Sequence, residues 1–159
     1  MSFVFSADEI LAMAEQLERS GAAFYRKTAE DAEDPTVKDL LIELASMEDG
    51  HIKTFSCMRA ELSEKEKDRP TFDPGHEANL YLRSLADTRV FFEKEIDTSS
   101  LEGILKAAVK AEKDSILFYL GMKDLVPDYL GKDRLEEIIR EEMSHITLLN
   151  KSLVNLKKA

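Results

Sequence analysis

The 159-residue chain has one cysteine, Cys57, no tryptophan, four prolines and six glycines. A single cysteine excludes an intramolecular disulfide framework and any Cys-x-x-Cys metal knuckle, and it makes a reducing cytoplasm the expected compartment. Cys57 itself is expected to pack in or near the second helix, without chemistry of its own. No uncharged run reaches the length of a membrane span. The opening Met-Ser-Phe-Val-Phe lacks the basic region and long apolar run of a signal peptide. Positive charge is in deficit, with 22 Lys and Arg against 32 Asp and Glu, a net −10. That balance argues against nucleic acid and anionic membranes as partners.

What is present is 43% hydrophobic and 34% charged residues, the mix of a helical protein with charged outer faces. The length suits one domain over residues 1–159 with a sizeable core. Ser6 and Glu9 form a capping box, Ser-x-x-Glu, at the start of an apolar-periodic segment. Leu11, Ala14, Glu18, Gly21, Tyr25 and Thr28 then share one helical face. Asp34-Pro35 ends this helix and starts the next, with Asp as N-cap and Pro at the first helical position. The second helix runs to about Leu62 and aligns Leu41, Leu44, Glu48, His51, Phe55 and Met58 at steps of three and four. The short join makes the two helices antiparallel neighbours.

From Ser63 to Thr98 the pattern weakens. Ser-Glu-Lys-Glu-Lys-Asp-Arg-Pro is charged and ends in a breaker, and Asp73-Pro74-Gly75 signals a turn. Glu77 to Ala86 is expected as a short helix anchored by Leu80, Leu82 and Leu85, and Arg89 to Ile96 either continues it or is irregular. Ser99 and Glu102 read as a second capping box. The third helix then lines up Leu105, Ala108, Glu112, Ser115, Tyr119 and Met122. Val126-Pro127-Asp128 and Gly131 break it. The fourth helix, from near Lys132, lines up Leu135, Ile138, Glu142, His145, Leu149 and Ser152.

An internal repeat ties these helices together. Shifted by 94 positions, residues 10–52 fall on residues 104–146 with 14 identities in 43 positions, where roughly three are expected by chance. Glu18 falls on Glu112, Phe24-Tyr25 on Phe118-Tyr119, Glu48 on Glu142 and His51 on His145. The expected fold is therefore all-α. It is an antiparallel four-helix bundle made of two repeated helical hairpins, about 6–62 and 99–156, joined by a long crossover connection, about 63–98. The repeat also selects among acidic residues. Glu141 could pair with His145 at helical spacing, but its counterpart is Met47. Glu15 lies one turn before Glu18, but its counterpart is Val109.

Each hairpin thus offers one Glu on its first helix and a Glu-x-x-His on its second, inside apolar stripes. A buried carboxylate is costly unless paired. Glu18, Glu48, Glu112 and Glu142 bring four negative charges, and two divalent ions bring four positive ones. Such a set is the arrangement of dinuclear carboxylate sites in helical bundles. Carboxylate and imidazole donors suit iron and manganese, and also zinc or mixed metals. His76, the third histidine, follows Asp73-Pro74-Gly75 and reads as a solvated loop residue. Tyr25 and Tyr119 lie two turns after Glu18 and Glu112. They fit either core packing or a hydroxyl hydrogen bond to a ligand carboxylate, and the latter is preferred. Met47, Met58, Met122 and Met143 read as packing residues.

On these motifs the sequence resembles the rubrerythrin-type branch of the ferritin-like superfamily. The motifs are Glu18 with Phe24-Tyr25, Glu48-x-x-His51, Glu112 with Phe118-Tyr119, and Glu142-x-x-His145. The resemblance covers about residues 6–62 and 98–156. It implies a ferritin-like fold, two iron ions in a carboxylate-bridged centre with Glu48 and Glu142 bridging, and an oxidoreductase acting on hydrogen peroxide or oxygen, most simply by reducing peroxide; the alternatives are a ferroxidase or iron-handling protein and a non-enzymatic metal-binding bundle. Two departures stand out. The position one turn after Glu112, a further Glu in rubrerythrins proper, is Ser115. The four-cysteine rubredoxin domain has no counterpart, so peroxide reduction would need a separate electron-donor protein such as a rubredoxin. A homodimer is the expected assembly.

Overall fold

Helix boundaries follow from local chemistry. In the computed structural model, which describes residues 4–87 and 99–158, the first helix, α1, spans Ala7–Asp31. Ser6 Oγ accepts from the Glu9 amide at 3.2 Å, and the Glu9 carboxylate accepts from the Ser6 amide at 2.7 Å. This reciprocal box satisfies two of the amides that a helix start leaves unpaired. Helix α2, Pro35–Ala60, opens with Asp34 Oδ1 accepting from the Thr36 amide at 2.8 Å. A single helical turn, α3, spans Glu64–Lys67 within the charged run, where Ser63 and Glu66 form a capping box of their own. Helix α4 spans Glu77–Asp87, α5 spans Leu101–Met122, and α6 spans Lys132–Lys158 after a short 3-10 turn at Asp128–Leu130. Among the described residues there is no strand, only an isolated bridge between Ser6 and Pro70.

Two expectations need correction. The cap of α5 is Ser100 rather than Ser99, its Oγ accepting from the Gly103 amide at 3.0 Å. With Gly at the third helical position no reciprocal carboxylate is available, and Glu102 pairs instead with Lys106, one turn on, at 2.8 Å. In α4, Leu82 is fully buried and Leu85 packs partly against the core, but Leu80 is 61% exposed. The 3.6-residue period cannot bury Leu80 and Leu82 together, because they lie about 200° apart on the helix. The stretch from Arg89 to Ile96 lies outside the described residues, as does part of the crossover.

Helices α1 and α2 pack along each other as one pair, and α5 and α6 as a second. The four long helices bury two separate apolar clusters. One gathers Ile10, Leu11, Phe55, Met58, Phe118 and Met122. The other gathers Leu41, Leu44, Leu105, Ala108 and Leu149. Burying each Leu, Ile or Phe contributes roughly 1.5–3 kcal/mol relative to leaving it exposed. The second helix of each pair changes from one cluster to the other around its Glu-x-x-His: Leu44 and Phe55 flank Glu48 and His51, and Ile138 and Leu149 flank Glu142 and His145. The polar residues thus occupy a layer between two hydrophobic ends.

Helix α4 caps one end. Asn79, only 2% exposed, accepts from the Phe5 amide at 2.9 Å and donates to Asp73 at 2.8 Å. Side chains of α4 lie so close to α5 that a Cβ at Gly121 would sit 2.6 Å from the Tyr81 ring and 3.0 Å from Leu82.

Candidate metal centre

Glu18 and Tyr25 come from α1, Glu48 and His51 from α2, Glu112 and Tyr119 from α5, and Glu142 and His145 from α6. All eight are buried, none more than 3% exposed. The helical period explains this placement. Glu18 lies on the same stripe as Leu11, Ala14 and Tyr25, and Glu48 on that of Leu41, Leu44 and Phe55, so packing the apolar residues carries the carboxylates inward.

Six of these side chains converge in two overlapping sets. Glu18, Glu48, His51 and Glu142 present donor atoms within 4.8 Å of one another, and so do Glu48, Glu112, Glu142 and His145. Glu48 and Glu142 belong to both sets. His51 Nδ1 lies 2.9 Å from Glu142, 3.4 Å from Glu18 and 3.6 Å from Glu48. His145 Nδ1 lies 3.3 Å from Glu48, 3.4 Å from Glu112 and 3.8 Å from Glu142. The two imidazoles face each other with centroids 5.9 Å apart and planes inclined by 19°.

These atoms crowd together without hydrogen-bond alignment. Glu48 Oε1, Glu112 Oε2, Glu142 Oε1, His51 Nδ1 and His145 Nδ1 are all buried and make no hydrogen bond. Buried polar atoms left without partners cost about 1–3 kcal/mol each, more when charged. Five such atoms pointing into one layer fit a pair of cations, which would satisfy them all and cancel the four carboxylate charges.

Protonation in the metal-free chain shows the same tension. Burial, then the neighbouring Glu48, pushes the Glu18 carboxyl well above its ordinary range, and burial with Glu112 does the same for Glu142. Burial disfavours the charged form of Glu48, but the closeness of Glu18, His145 and His51 outweighs it and holds Glu48 low. Burial would likewise lower both histidines, yet the facing carboxylates carry His51 strongly upward and His145 to about 9. Without a metal ion, protons would have to offset the crowded carboxylates.

The tyrosines brace the layer crosswise. The Tyr25 hydroxyl donates to Glu112 and the Tyr119 hydroxyl donates to Glu18, each reaching the carboxylate of the other helix pair. Burial, then the charge of Glu112 or Glu18, raises both phenols well above their ordinary value, so they stay protonated and donate.

Other acidic residues stand apart from the layer. Glu15 pairs with Arg19 at 3.5 Å and Arg59 at 3.6 Å. His76 is exposed at the start of α4. Glu141 is absent from both donor sets, yet its carboxylate lies 2.5 Å from His51 Nε2, the ring nitrogen that faces away from the layer. Sequence reasoning missed this contact. The signal was a Glu beside Glu142 on the face turned toward α2, but the repeat, which puts Met47 at its equivalent, drew attention away from it. Cys57 lies on α2 but is exposed rather than packed, and with Glu141 and His51 it lines a groove of about 820 Å³ between α2 and α6. Met58 and Met122 are fully buried, whereas Met143 is 52% exposed.

Comparison with known proteins agrees with this geometry. A solved structure from Thermotoga maritima, described as a ferritin-like diiron-carboxylate protein, superposes with a TM-score of 0.70 at 24% identity, covering 94% of this chain and 95% of that one. At that identity the likeness shows the fold, a ferritin-like helical bundle. No curated protein matches the chain. Among the described residues no helix is long and apolar enough to cross a membrane. The model of the rubrerythrin family matches residues 9–99, which include most of α1, all of α2 and the first Glu-x-x-His, and the chain belongs to that family.

Proposed function

We propose that the buried layer holds two iron ions and that the chain is an oxidoreductase that reduces hydrogen peroxide to water. The observation that carries this reading is the pair of overlapping donor sets, with Glu48 and Glu142 common to both and five orphaned buried atoms aimed between them. Glu18 and His51 would complete one position, and Glu112 and His145 the other. The mixed carboxylate and imidazole donors suit iron or manganese.

Held by these residues, a ferrous pair would supply the two electrons that, with two protons, convert one peroxide to two waters. The protein's share is binding, charge balance and exclusion. Four carboxylates match two divalent charges, so no net charge is buried. Tyr25 and Tyr119 fix the orientation of Glu112 and Glu18. The apolar clusters close the layer toward the two ends of the bundle. Only one cysteine is present, so no four-cysteine electron-transfer site lies within these 159 residues. Electrons to restore the ferrous pair would come from a separate donor protein such as a rubredoxin.

A second reading, in which iron is substrate and the chain is a ferroxidase, draws on the groove that opens beside His51. Anaerobic iron loading followed by rapid mixing separates the two. Fast oxidation by peroxide with slow oxidation by oxygen is the expected result. Fast oxidation by oxygen with release of the iron would favour the ferroxidase, and no reaction with either would overturn both.

A further inference from the structure

The two halves of the layer are not equivalent in their surroundings. The groove between α2 and α6 has His51 at its floor, with Gly50 and Thr54 on one wall and Arg134, Glu137 and Glu141 on the other. Of the six candidate ligands, His51 alone lines it. Gly50 leaves its wall open, since nothing lies within 4 Å of where a Cβ would stand. Glu141, its side chain 42% exposed at the groove, anchors His51 through Nε2. A carboxylate on the outer nitrogen fixes the tautomer and aims Nδ1 at a metal.

On the other side the repeat puts different residues at the equivalent places. Leu148 stands where Thr54 does, and Leu40 where Arg134 does. Leu40 is partly buried against the Leu41 and Leu44 cluster. Met47, which itself lines the groove, is the repeat counterpart of Glu141, so no carboxylate stands at that position toward His145. His145 is 0% exposed, and its Nε2 has no hydrogen-bond partner among the described residues.

Resting on the di-metal reading above, we infer that the ion held by His51 loads and exchanges through the α2–α6 groove, with Glu141 as its positioning residue, while the ion held by His145 is sealed in the core. An ion beside the groove needs only side chains to move. The sealed ion must wait for a local opening of the helix pair, which is slower.

Zinc-loaded full-length protein mixed with a colorimetric chelator tests this without any turnover. Two ions should leave in two phases of one ion each, with rates differing by about tenfold or more, because only the sealed ion waits on local opening. Gly50→Phe should fill the groove and slow the fast phase selectively, with two ions still bound at equilibrium. Thr54→Phe, on the same wall, is an independent plug should Gly50→Phe fold poorly. Glu141→Leu should weaken one ion by roughly 10- to 100-fold, the usual cost of losing such a partner. Glu141→Gln should restore most of that affinity, since an amide oxygen still accepts from Nε2. Two ions leaving in a single phase, or plugs that slow both phases alike or neither, would overturn the inference and leave the di-metal reading standing. Failure to bind zinc at all would overturn the di-metal reading beneath it.

Discussion

Tyr25, on α1, donates its hydroxyl to Glu112, on α5, and so ties the first helix pair to the second at the level of the buried charges. Tyr119 returns the bond to Glu18. Tyr25→Phe and Tyr119→Phe keep the ring packing and remove only the donor. Each should destabilise the metal-free protein by about 0.5–3 kcal/mol, the span from hydrogen bonds between neutral groups to those with charged ones. Urea titration at constant slope measures this. Substitutions that leave the midpoint unchanged would show that the carboxylates find other donors.

Gly121 makes a different prediction, about packing. A methyl there would meet the Tyr81 ring at 2.6 Å and Leu82 at 3.0 Å. Neither neighbour is free to yield: Tyr81 donates to the Leu117 carbonyl at 2.8 Å, and Leu82 is fully buried. Gly121→Ala should therefore cost roughly 1–3 kcal/mol through overpacking, despite the better helix propensity of Ala. Adding Tyr81→Ala should recover part of the loss, a non-additivity that a double-mutant cycle reads directly. Full additivity would mean α4 does not press on α5 at this point.

Loading with a divalent ion should release protons. In the metal-free layer the facing carboxylates raise His145 to about 9 and His51 further still. Both imidazoles must be neutral to bind an ion, so apparent affinity should rise with pH up to about 9 for the His145 position. The stability linkage has the same sign. A histidine raised above its unfolded value of about 6.5 gives stability that is present below that pH and lost as pH climbs through the folded value. The metal-free Tm should therefore fall between about pH 7 and about pH 10, while the loaded protein, with metal in place of the protons, should not follow it. Calorimetry in buffers of different ionisation enthalpy counts the released protons. Loading without proton release would contradict the protonation described here.

Much of this was legible from the sequence because the two periodicities agree. The 3.6-residue apolar stripe and the 94-residue repeat both single out Glu18, Glu48, His51, Glu112, Glu142 and His145, and the structure brings these six into one layer. Helix ends were legible where a cap has a specific chemistry, as at Ser6 with Glu9 and Asp34 with Pro35. They were less so where two serines adjoin, and Ser100 rather than Ser99 caps α5. In α4 the three leucines expected as anchors cannot share one face, and the same period that carries Glu48 inward turns Leu82 into the core and leaves Leu80 exposed. Glu141 was missed for a deeper reason. A repeat reports what the two halves share, whereas Glu141 distinguishes them, and its contact with His51 exists only once α6 is set against α2.

The most direct test of the central claim is metal stoichiometry, measured by elemental analysis after anaerobic loading and desalting. The expected result is two divalent ions per chain in the native protein, most of that metal lost in Glu48→Ala and in Glu142→Ala, and none lost in His76→Ala. A folded native protein that retains no metal, or equal losses in all three variants, would contradict a dinuclear centre shared by Glu48 and Glu142.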